Sequence, residues 1–387
     1  MTNVINTVRT MTRRGNQRND PRVSTSDDHD VSASHDGGMP EREVMEQWAA
    51  ERFELVPGYL NTATLGLPTH ASLEVFRNRL AEWQSGVLHA PSFDADVSRC
   101  RAAYAQLVGT TPSNVAIAGQ ASVVAGLVAS SCAPGSTVLC AEGDFTSVLF
   151  PFLADPNITV RLVPLEALID SITDDIDLVA VSAAQSSNGI VVDLDALADA
   201  ADRADARTFL DVTQAAGWLN VDADRFDVTV GHGYKWLCSP RGAAFMTVND
   251  AVADWLRPRD AGWYAGDDPW ASIYGAPLRL AADARRYDVS PAWFSFAAAA
   301  PTLEMLAELG ATSIGEHSIG LANHFRSEVG LAPSNSAIVS IESNAADALN
   351  AAGIAHSPRA GRLRLSFYIY NTTADAEAAA VIITANA

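Results

Sequence analysis

Lys235 is the only lysine among the 387 residues, and the other strongly basic side chains are all arginines. A guanidinium stays protonated at any accessible pH, whereas an ε-amine can lose its proton and attack a carbonyl carbon. A chain that uses arginine everywhere else therefore has a chemical reason to place a lysine here. We interpret Lys235 as a nucleophile that can form a Schiff base.

Two short apolar stretches precede this lysine and are expected to position it. Residues 208–212 resemble a buried strand that carries Asp211 near its end, and a second apolar run, 226–230, ends shortly before Lys235. Parallel strands would bring both side chains to the same carboxyl-end edge of a sheet, where open α/β sheets bind ligands.

The wider pattern alternates apolar strands with amphipathic helices, which indicates βα units and a largely parallel sheet covered on both faces. Strands are expected at 115–118, 137–140, 159–165, 178–182, 208–212, 228–230, 242–248, 337–341 and 362–370. Helices are expected at 40–52, 70–85, 94–108, 123–132, after Asp193, at 292–309, at 313–329 and from about 373.

A possible phosphate site lies at residues 119–122, between a strand and the helix 123–132. The sequence there is Gly119-Gln120-Ala121-Ser122. A glycine turn that opens a helix offers free backbone N–H groups at the positive end of the helix dipole, which is the arrangement that binds phosphate.

These features resemble the class V aminotransferase family of fold type I enzymes, which use pyridoxal 5'-phosphate (PLP). That family carries Asp-x-x-Gln at a strand end and later the PLP lysine, and here these are Asp211, Gln214 and Lys235. The segment 364–372 also matches the family pattern Arg-x-Ser-x-x-x-Tyr-Asn-Thr. The resemblance covers about residues 45–385 and implies a large PLP-binding domain followed by a small C-terminal α+β domain.

The resemblance implies a role for each residue around the cofactor. Lys235 would hold PLP as a Schiff base and then move the Cα proton, and Asp211 would face the pyridine nitrogen and favour its protonated form. Gln214 would hydrogen-bond the phenolic oxygen, and Phe145 would stack on the ring. Either Ser186 or its neighbour Gln185 would lie near the phenolic edge.

Other positions in the family pattern would bind the phosphate. Residues 119–121 form the expected phosphate loop, and His232 and Tyr234 replace the usual Ser-x-His before the lysine. Ser290 lies in a segment that a neighbouring subunit would contribute, so the resemblance implies a homodimer with the active site at the subunit interface.

Two residues are expected to contact the substrate. Arg364 would hold the α-carboxylate, because its guanidinium can bind a carboxylate through two parallel hydrogen bonds. Thr64 belongs to the segment 59–66, which resembles the strand and small-residue turn that run past the family's substrate site.

The domain organisation follows from composition and from the resemblance. Residues 1–40 are polar and poor in large apolar side chains, which predicts a disordered tail or an over-extended start that precedes Met39. We expect an N-terminal helical segment of the small domain at 41–58, the large PLP-binding domain at 59–290, and the small domain at 291–387.

The net charge of −20 argues against nucleic acid and anionic membranes as partners. No run of eighteen apolar residues could span a bilayer, and the four cysteines show no metal-like spacing. We therefore expect a cytoplasmic, metal-free enzyme that acts on a small molecule.

For the reaction, the sequence favours transamination or β-elimination of the C–S lyase type on an α-amino acid. Kynureninase-like hydrolysis and epimerisation remain alternatives. A cysteine desulfurase is disfavoured because residues 239–387 contain no cysteine to take up sulfur. The alternative that is not an enzyme is a non-catalytic protein of the same fold that binds a ligand or partner. The joint presence of Lys235, Asp211 and Arg364 argues against it.

Overall fold

The computed structural model describes residues 40–252 and 254–386, so the predicted disordered tail lies outside the described residues, apart from residue 40. Ten α-helices are formed by this part of the chain. They are α1 (Pro40–Ala50), α2 (His70–Gln84), α3 (Asp94–Leu107), α4 (Ala121–Ser131), α5 (Thr146–Leu153), α6 (Leu194–Ala204), α7 (Trp293–Leu309), α8 (Ala311–Glu328), α9 (Ala346–Ala351) and α10 (Thr373–Ala385).

The same residues form ten strands in two sheets. They are β1 (Val115–Ala118), β2 (Thr137–Ala141), β3 (Thr159–Val163), β4 (Leu178–Ser182), β5 (Arg207–Asp211), β6 (Val228–His232), β7 (Ala244–Val248), β8 (Ile338–Ile341), β9 (Ser357–Arg359) and β10 (Arg362–Ser366).

The larger sheet has seven strands in the order β1-β7-β6-β5-β4-β2-β3. The neighbours from β3 to β6 pair in parallel, whereas β7 is antiparallel to both β6 and β1. The predicted α/β class and its largely parallel sheet are therefore confirmed. Because β5 and β6 run in parallel with Asp211 opposite Val230, their carboxyl ends meet at one edge.

Apart from the edge strand β3, the strands of this sheet are buried on both faces, which is why they read as apolar runs. Along β4, Leu178 and Ala180 pack into one cluster with α4 and α5, while Val179 and Val181 pack into the other with α3, α6 and α7. The alternation follows the two-residue period of a strand. The helices thus fix the sheet from both sides and leave its carboxyl-end edge free to carry a site.

The smaller sheet is antiparallel, in the order β8-β10-β9, and packs with α8 and α10 around a third apolar cluster. Leu60 from the segment 59–66 joins this cluster. The predicted division at residues 290 and 291 stays a prediction, because the described fold from residue 40 onward forms one compact unit.

The predicted strand 362–370 is too long, since β10 ends at Ser366. Beyond it the chain turns, because Oδ1 of Asn371 accepts a 2.8 Å hydrogen bond from the backbone N–H of Tyr368. Tyr368, Ile369 and Tyr370 are buried in the core of the large sheet. Their apolar side chains serve that core, and a buried turn has the same composition as a buried strand.

Two smaller differences concern strand ends. The predicted strand 159–165 stops at Val163, and a short 3-10 helix, Leu165–Ala167, follows. In the segment 59–66 only Tyr59 and Asn61 make isolated bridges, so no extended strand forms there. None of the described helices combines the length and the apolar character that a membrane span requires.

Candidate active site

Lys235 lies in the turn that follows β6, three residues beyond His232. Its side chain is 5% exposed, and it lines a pocket together with Asp211 at the end of β5. The predicted meeting of these two residues at one sheet edge is therefore what the fold produces. The sequence places no other lysine anywhere in the chain.

The surroundings of Lys235 favour its neutral amine. Burial is the main cause that lowers its pKa to about 8, and the positive charges of Arg364, Arg359 and Arg241 act in the same direction. The carboxylate of Asp211 opposes them. An amine with this pKa is deprotonated in part at neutral pH, and only the deprotonated form is a nucleophile or base.

Asp211 is buried, and its carboxylate is fixed by the loop that follows β5. The backbone N–H of Thr213 donates a 2.8 Å hydrogen bond to Oδ1 of Asp211. Burial raises the pKa of Asp211, while the hydrogen bonds from Thr213 and the charge of Lys235 lower it. A carboxylate held in this way can pair with a cationic ring nitrogen that enters the pocket.

The amide of Gln214 is oriented by three neighbours. Nε1 of Trp236 donates a 2.8 Å hydrogen bond to Oε1 of Gln214, so the amide must present Nε2 on its other side. That Nε2 donates to the carbonyl of Ala63 at 3.0 Å and to Oγ of Ser186 at 3.2 Å. Gln214 therefore offers a donor, not an acceptor, along the wall of the pocket that carries Ser186.

The N-terminus of α4 also lines the pocket. Gln120 precedes this helix without a side-chain capping bond, and Gln120, Ala121 and Ser122 line the pocket. The first N–H groups of a helix have no partner inside the helix. They lie here beside the same pocket as Lys235, where an anionic group could bind them.

His232 and Tyr234 line this pocket as well, with their rings in edge-to-face contact at 4.4 Å between centroids. Both ring nitrogens of His232 are buried without a hydrogen-bond partner among the described residues. Burial, aided by Arg241 and Lys235, lowers the pKa of His232 to about 4, so its ring is neutral at pH 7. Buried polar atoms of this kind normally have a partner, which indicates a missing ligand.

Phe145 precedes α5, and its ring centroid lies 5.4 Å from Nζ of Lys235. The side chain is 44% exposed although it lines the pocket. A half-exposed aromatic face beside a buried amine is suited to cover a flat ring that binds between them.

Arg364 lies on β10 and is only 1% exposed. It donates to the carbonyl of Ser186 at 2.6 Å and to Oγ1 of Thr64 at 2.7 Å. No carboxylate pairs with it in the described part of the chain, and burial lowers its pKa to about 10. A buried cation without a counter-ion is costly, so this position is suited to an anion that arrives with the substrate.

Most of the predicted site residues thus meet around one pocket. Those that line it are Gln120, Ala121, Phe145, Ser186, Asp211, Gln214, His232, Tyr234 and Lys235. Arg364 and Thr64 adjoin it through Ser186. Gln185 is buried and turns its amide toward Ser182, so of the two alternatives Ser186 is the one in the pocket.

Two other predicted residues also lie outside the lining of this pocket in the single chain. Gly119 precedes Gln120 but is not part of the lining, and Ser290 is exposed elsewhere on the surface. The expectation for Ser290 concerns a second subunit and stays a prediction.

Several other residues line the pocket without having been predicted, and Thr213 and Arg241 matter most among them. Thr213 had a weak signal, because a hydroxyl two residues after a strand-end Asp often accepts or donates locally. Arg241 reaches the pocket only through the turn between Lys235 and β7, and its guanidinium lies 5.0 Å from the ring centroid of Tyr234. Nothing in its spacing predicts that position.

The architecture is shared with solved fold type I PLP enzymes. The cystine C–S lyase C-DES, solved with cysteine persulfide, superposes with a TM-score of 0.76 at 16% identity, over 85% of this chain and 98% of the lyase. A cysteine desulfurase from Thermococcus onnurineus NA1 gives 0.75 at 16% identity, over 87% and 96%. At these identities the likeness defines the fold. Another structure of C-DES holds glycine covalently linked to its PLP cofactor.

The profile of the family Aminotransferase class-V matches residues 122–350, and the chain belongs to this family of PLP-dependent enzymes. An uncharacterized aminotransferase of Bacillus subtilis is 29% identical over 226 residues, 55% of this chain. A kynureninase of Deinococcus radiodurans is 27% identical over 291 residues, 69% of this chain. An isopenicillin N epimerase of Streptomyces clavuligerus is 26% identical over 258 residues, 59% of this chain. The chain spans 60%, 70% and 63% of these relatives' lengths.

Proposed function

We propose that this enzyme acts on an α-amino acid and catalyses transamination or β-elimination of the C–S lyase type. The observation that carries the proposal is that Lys235, which is buried and has a lowered pKa, and the buried Asp211 line one pocket. Bound PLP supplies an electron sink for the pair of electrons left when a bond at the substrate Cα breaks. The chain's own residues must hold that group and choose the bond.

The residues around the pocket fit PLP. Lys235 would bind its aldehyde carbon, Asp211 its ring nitrogen, and Gln214 its phenolic oxygen through Nε2. Phe145 would cover one face of the ring. The unpartnered nitrogens of His232 and the uncapped N-terminus of α4 support the placement of the phosphate at that end.

The phosphate end needs positive charge as well as hydrogen-bond donors. His232 is neutral at pH 7, and Tyr234 keeps its proton because burial raises the pKa of its phenol. Arg241 lines the same pocket and pairs with no carboxylate among the described residues. We therefore assign Arg241 the task of neutralising the phosphate.

Lys235 can then serve as the proton carrier at Cα. Its lowered pKa provides a neutral amine that accepts the Cα proton and can return it to a neighbouring atom. Arg364 would hold the α-carboxylate through its fork of N–H groups, with Thr64 and Ser186 fixing the guanidinium from the other side. Fixing the carboxylate orients the remaining Cα bonds relative to Lys235.

The cysteine positions support the choice among reactions. A persulfide-forming desulfurase needs a thiol that reaches the substrate, but no cysteine follows Cys238 in the sequence. Cys238 itself is buried, and burial raises the pKa of its thiol far above the usual range. Transamination and β-elimination need no such thiol. Kynureninase-like hydrolysis and epimerisation remain alternatives, supported by the names of the two relatives above.

The active unit in this proposal is a cytoplasmic homodimer. The segment before Ser290 is fixed to the large sheet, because Asp288 accepts a 2.8 Å bond from the N–H of Ile117 and pairs with Arg101 at 2.7 Å. Ser290 is exposed just beyond this anchor, which leaves it available to a second subunit. All four cysteines are free thiols, as in a reducing compartment.

The test is an absorption spectrum of the purified protein with PLP, followed by borohydride reduction and peptide mass analysis. We expect a visible band that reduction removes, and the mass of the cofactor on the peptide that contains Lys235. Amino acids are then added: a pyridoxamine product indicates transamination, and released pyruvate indicates β-elimination. The Lys235→Ala variant is the control without covalent attachment. A protein that takes up no PLP contradicts the proposal.

A further inference from the structure

The hairpin of β9 and β10 carries arginines beside the substrate end of the site. In its register Ser357 lies opposite Arg364, and Arg359 lies opposite Arg362. Residues two apart on a strand share a face, as do directly paired residues, so Ser357, Arg359, Arg362 and Arg364 all lie on one face of this sheet. Arg364 uses that face to contact Thr64 and Ser186.

The wall between Arg359 and Arg364 is polar. Oγ of Ser357 hydrogen-bonds Oγ1 of Thr64 at 2.8 Å and donates to Oδ1 of Asn61 at 2.7 Å. These short polar side chains fill the space beside the guanidinium of Arg364. These groups could hydrogen-bond a polar substrate side chain that lies beside Arg364.

Arg359 has no carboxylate partner in the described part of the chain. Its Nη1 donates to the carbonyl of Pro358 at 2.8 Å, a neutral acceptor within the same strand. The arginine opposite it differs, because Arg362 pairs with Glu342. Of the two arginines at this register position, Arg359 is therefore the one without a carboxylate counter-ion among the described residues.

The charge of Arg359 acts on the site itself. It lowers the pKa of both Lys235 and Arg364, and its effect on Lys235 ranks ahead of that of Arg241, which lines the pocket. Arg359 is half-buried, so water screens this effect only in part. The guanidinium thus belongs to the electrostatic surroundings of the lysine.

The proposed function assigns no role to the positive charge of Arg359. The cations near the pocket are Lys235, Arg241, Arg359 and Arg364, while Asp211 is the carboxylate reserved for the ring nitrogen. Arg241 is assigned to the phosphate and Arg364 to the α-carboxylate. Lys235 is assigned to the aldehyde carbon of the cofactor, so Arg359 is the cation that remains. The protein as a whole has a net charge of −20.

We infer that Arg359 binds an anionic group on the substrate side chain, so that the substrate is an α-amino acid with a side-chain carboxylate or sulfinate. This inference rests on the proposed function, since it assigns the second end of the same substrate. Arg364 holds the α-carboxylate, and Arg359 selects the acidic side chain along the polar wall of Ser357, Thr64 and Asn61.

The experiment uses the full-length holoenzyme and pairs of amino acids that differ by charge. L-Aspartate, L-glutamate and L-cysteine sulfinate are titrated against L-asparagine and L-glutamine, and the absorbance of the bound cofactor reports binding. We expect at least one acidic amino acid to bind about tenfold or more tightly than its amide, the factor expected for one charge-assisted contact.

Three variants locate the preference. Arg359→Gln should remove it by weakening only the acidic amino acids, and Arg359→Lys should retain part of it. Arg362→Gln is the matched control, because it removes an arginine from the same hairpin that Glu342 already neutralises, and it should leave the preference unchanged.

Two outcomes overturn the inference while leaving the proposed function intact: a wild-type enzyme that binds amides as tightly as acids, or an Arg359→Gln variant that weakens both equally. Failure of the proposed function differs, since no amino acid would then change the spectrum and borohydride would fix no cofactor on Lys235.

Discussion

The indole nitrogen of Trp236 donates a 2.8 Å hydrogen bond to Oε1 of Gln214. The residue after the lysine thus orients the side-chain amide of Gln214, which lines the pocket. The two residues are 22 positions apart in the sequence. A second tryptophan, Trp218, donates an equally short bond to Gln214, but to its backbone carbonyl. The two tryptophans can therefore be compared directly, because Trp236 orients the side-chain amide of Gln214 whereas Trp218 binds only its backbone.

Trp236→Phe should raise the dissociation constant for PLP about threefold to tenfold, because one net hydrogen bond that fixes Nε2 of Gln214 is lost. The constant is measured by fluorescence titration of the apoprotein. Trp218→Phe should lower the free energy of unfolding by about 1–3 kcal/mol, without this effect on PLP. Equal losses of PLP affinity in both variants would contradict the role assigned to Gln214.

The pH dependence of Lys235 follows from its burial. The protonated amine is disfavoured, so the reactive neutral form should appear as the pH rises through about 8 instead of the ordinary 10.5. The initial rate of acetylation of the apoprotein, read from the mass of the peptide with Lys235, measures this midpoint. Protein unfolded in urea is the control and should titrate near the ordinary value. A folded midpoint above about 10 would contradict the lowered pKa.

Arg364→Met should separate stability from function. The apoprotein should be as stable as wild type or more so, because the variant replaces an uncompensated buried charge with an apolar side chain of similar length. Amino-acid binding should weaken about 100-fold, as expected for the loss of a bidentate contact to a carboxylate. Thermal unfolding and cofactor-absorbance titration give the two readings. A large fall in unfolding temperature with unchanged binding would assign Arg364 a structural role only.

Gly66 is where the segment 59–66 packs against the lysine turn. Its N–H donates to the carbonyl of Tyr234 at 2.9 Å, and an added Cβ would lie 2.0 Å from the carbonyl oxygen of Lys235. Gly66→Ala should therefore destabilise the protein by about 1–3 kcal/mol and displace the turn, with loss of PLP affinity. Chemical denaturation measures the first effect.

Gly126, inside α4, is the matched control for that substitution, since an added Cβ there meets no atom within 4 Å. Gly126→Ala should stabilise the protein by up to about 1 kcal/mol through helix propensity. If Gly66→Ala behaves like Gly126→Ala, the close approach to Lys235 is not a constraint on the fold.

The strands of the large sheet could be predicted well because burial on both faces leaves one signal, an apolar run. The run 178–182 coincides with β4, whose residues are all buried. The same signal fails at 367–370, where the buried residues form a turn. The hydroxyl of Tyr368 in this turn donates to the carbonyl of Trp236, the residue after Lys235. An apolar composition predicts that a segment is buried but does not predict its backbone conformation. Here the turn is set by the hydrogen bond from the N–H of Tyr368 to the side chain of Asn371.

The sequence predicts those residues of the pocket that lie at the ends of strands. Asp211 and Lys235 follow neighbouring strands, so their meeting follows from topology. Arg241 and Arg359 reach the site through a turn and a hairpin register, which no local pattern in the sequence encodes. The roles of the individual site residues remain predictions that the variants above test.

The contact between Arg364 and Thr64 joins residues 300 positions apart. On a ribosome that adds about 5–20 residues per second, Thr64 waits about 15–60 s before its partner is made. Strands β1 to β7 are complete before then, because β7 ends at Val248. A nascent chain can thus make the strands that lead to Asp211 and Lys235 before Arg364 exists.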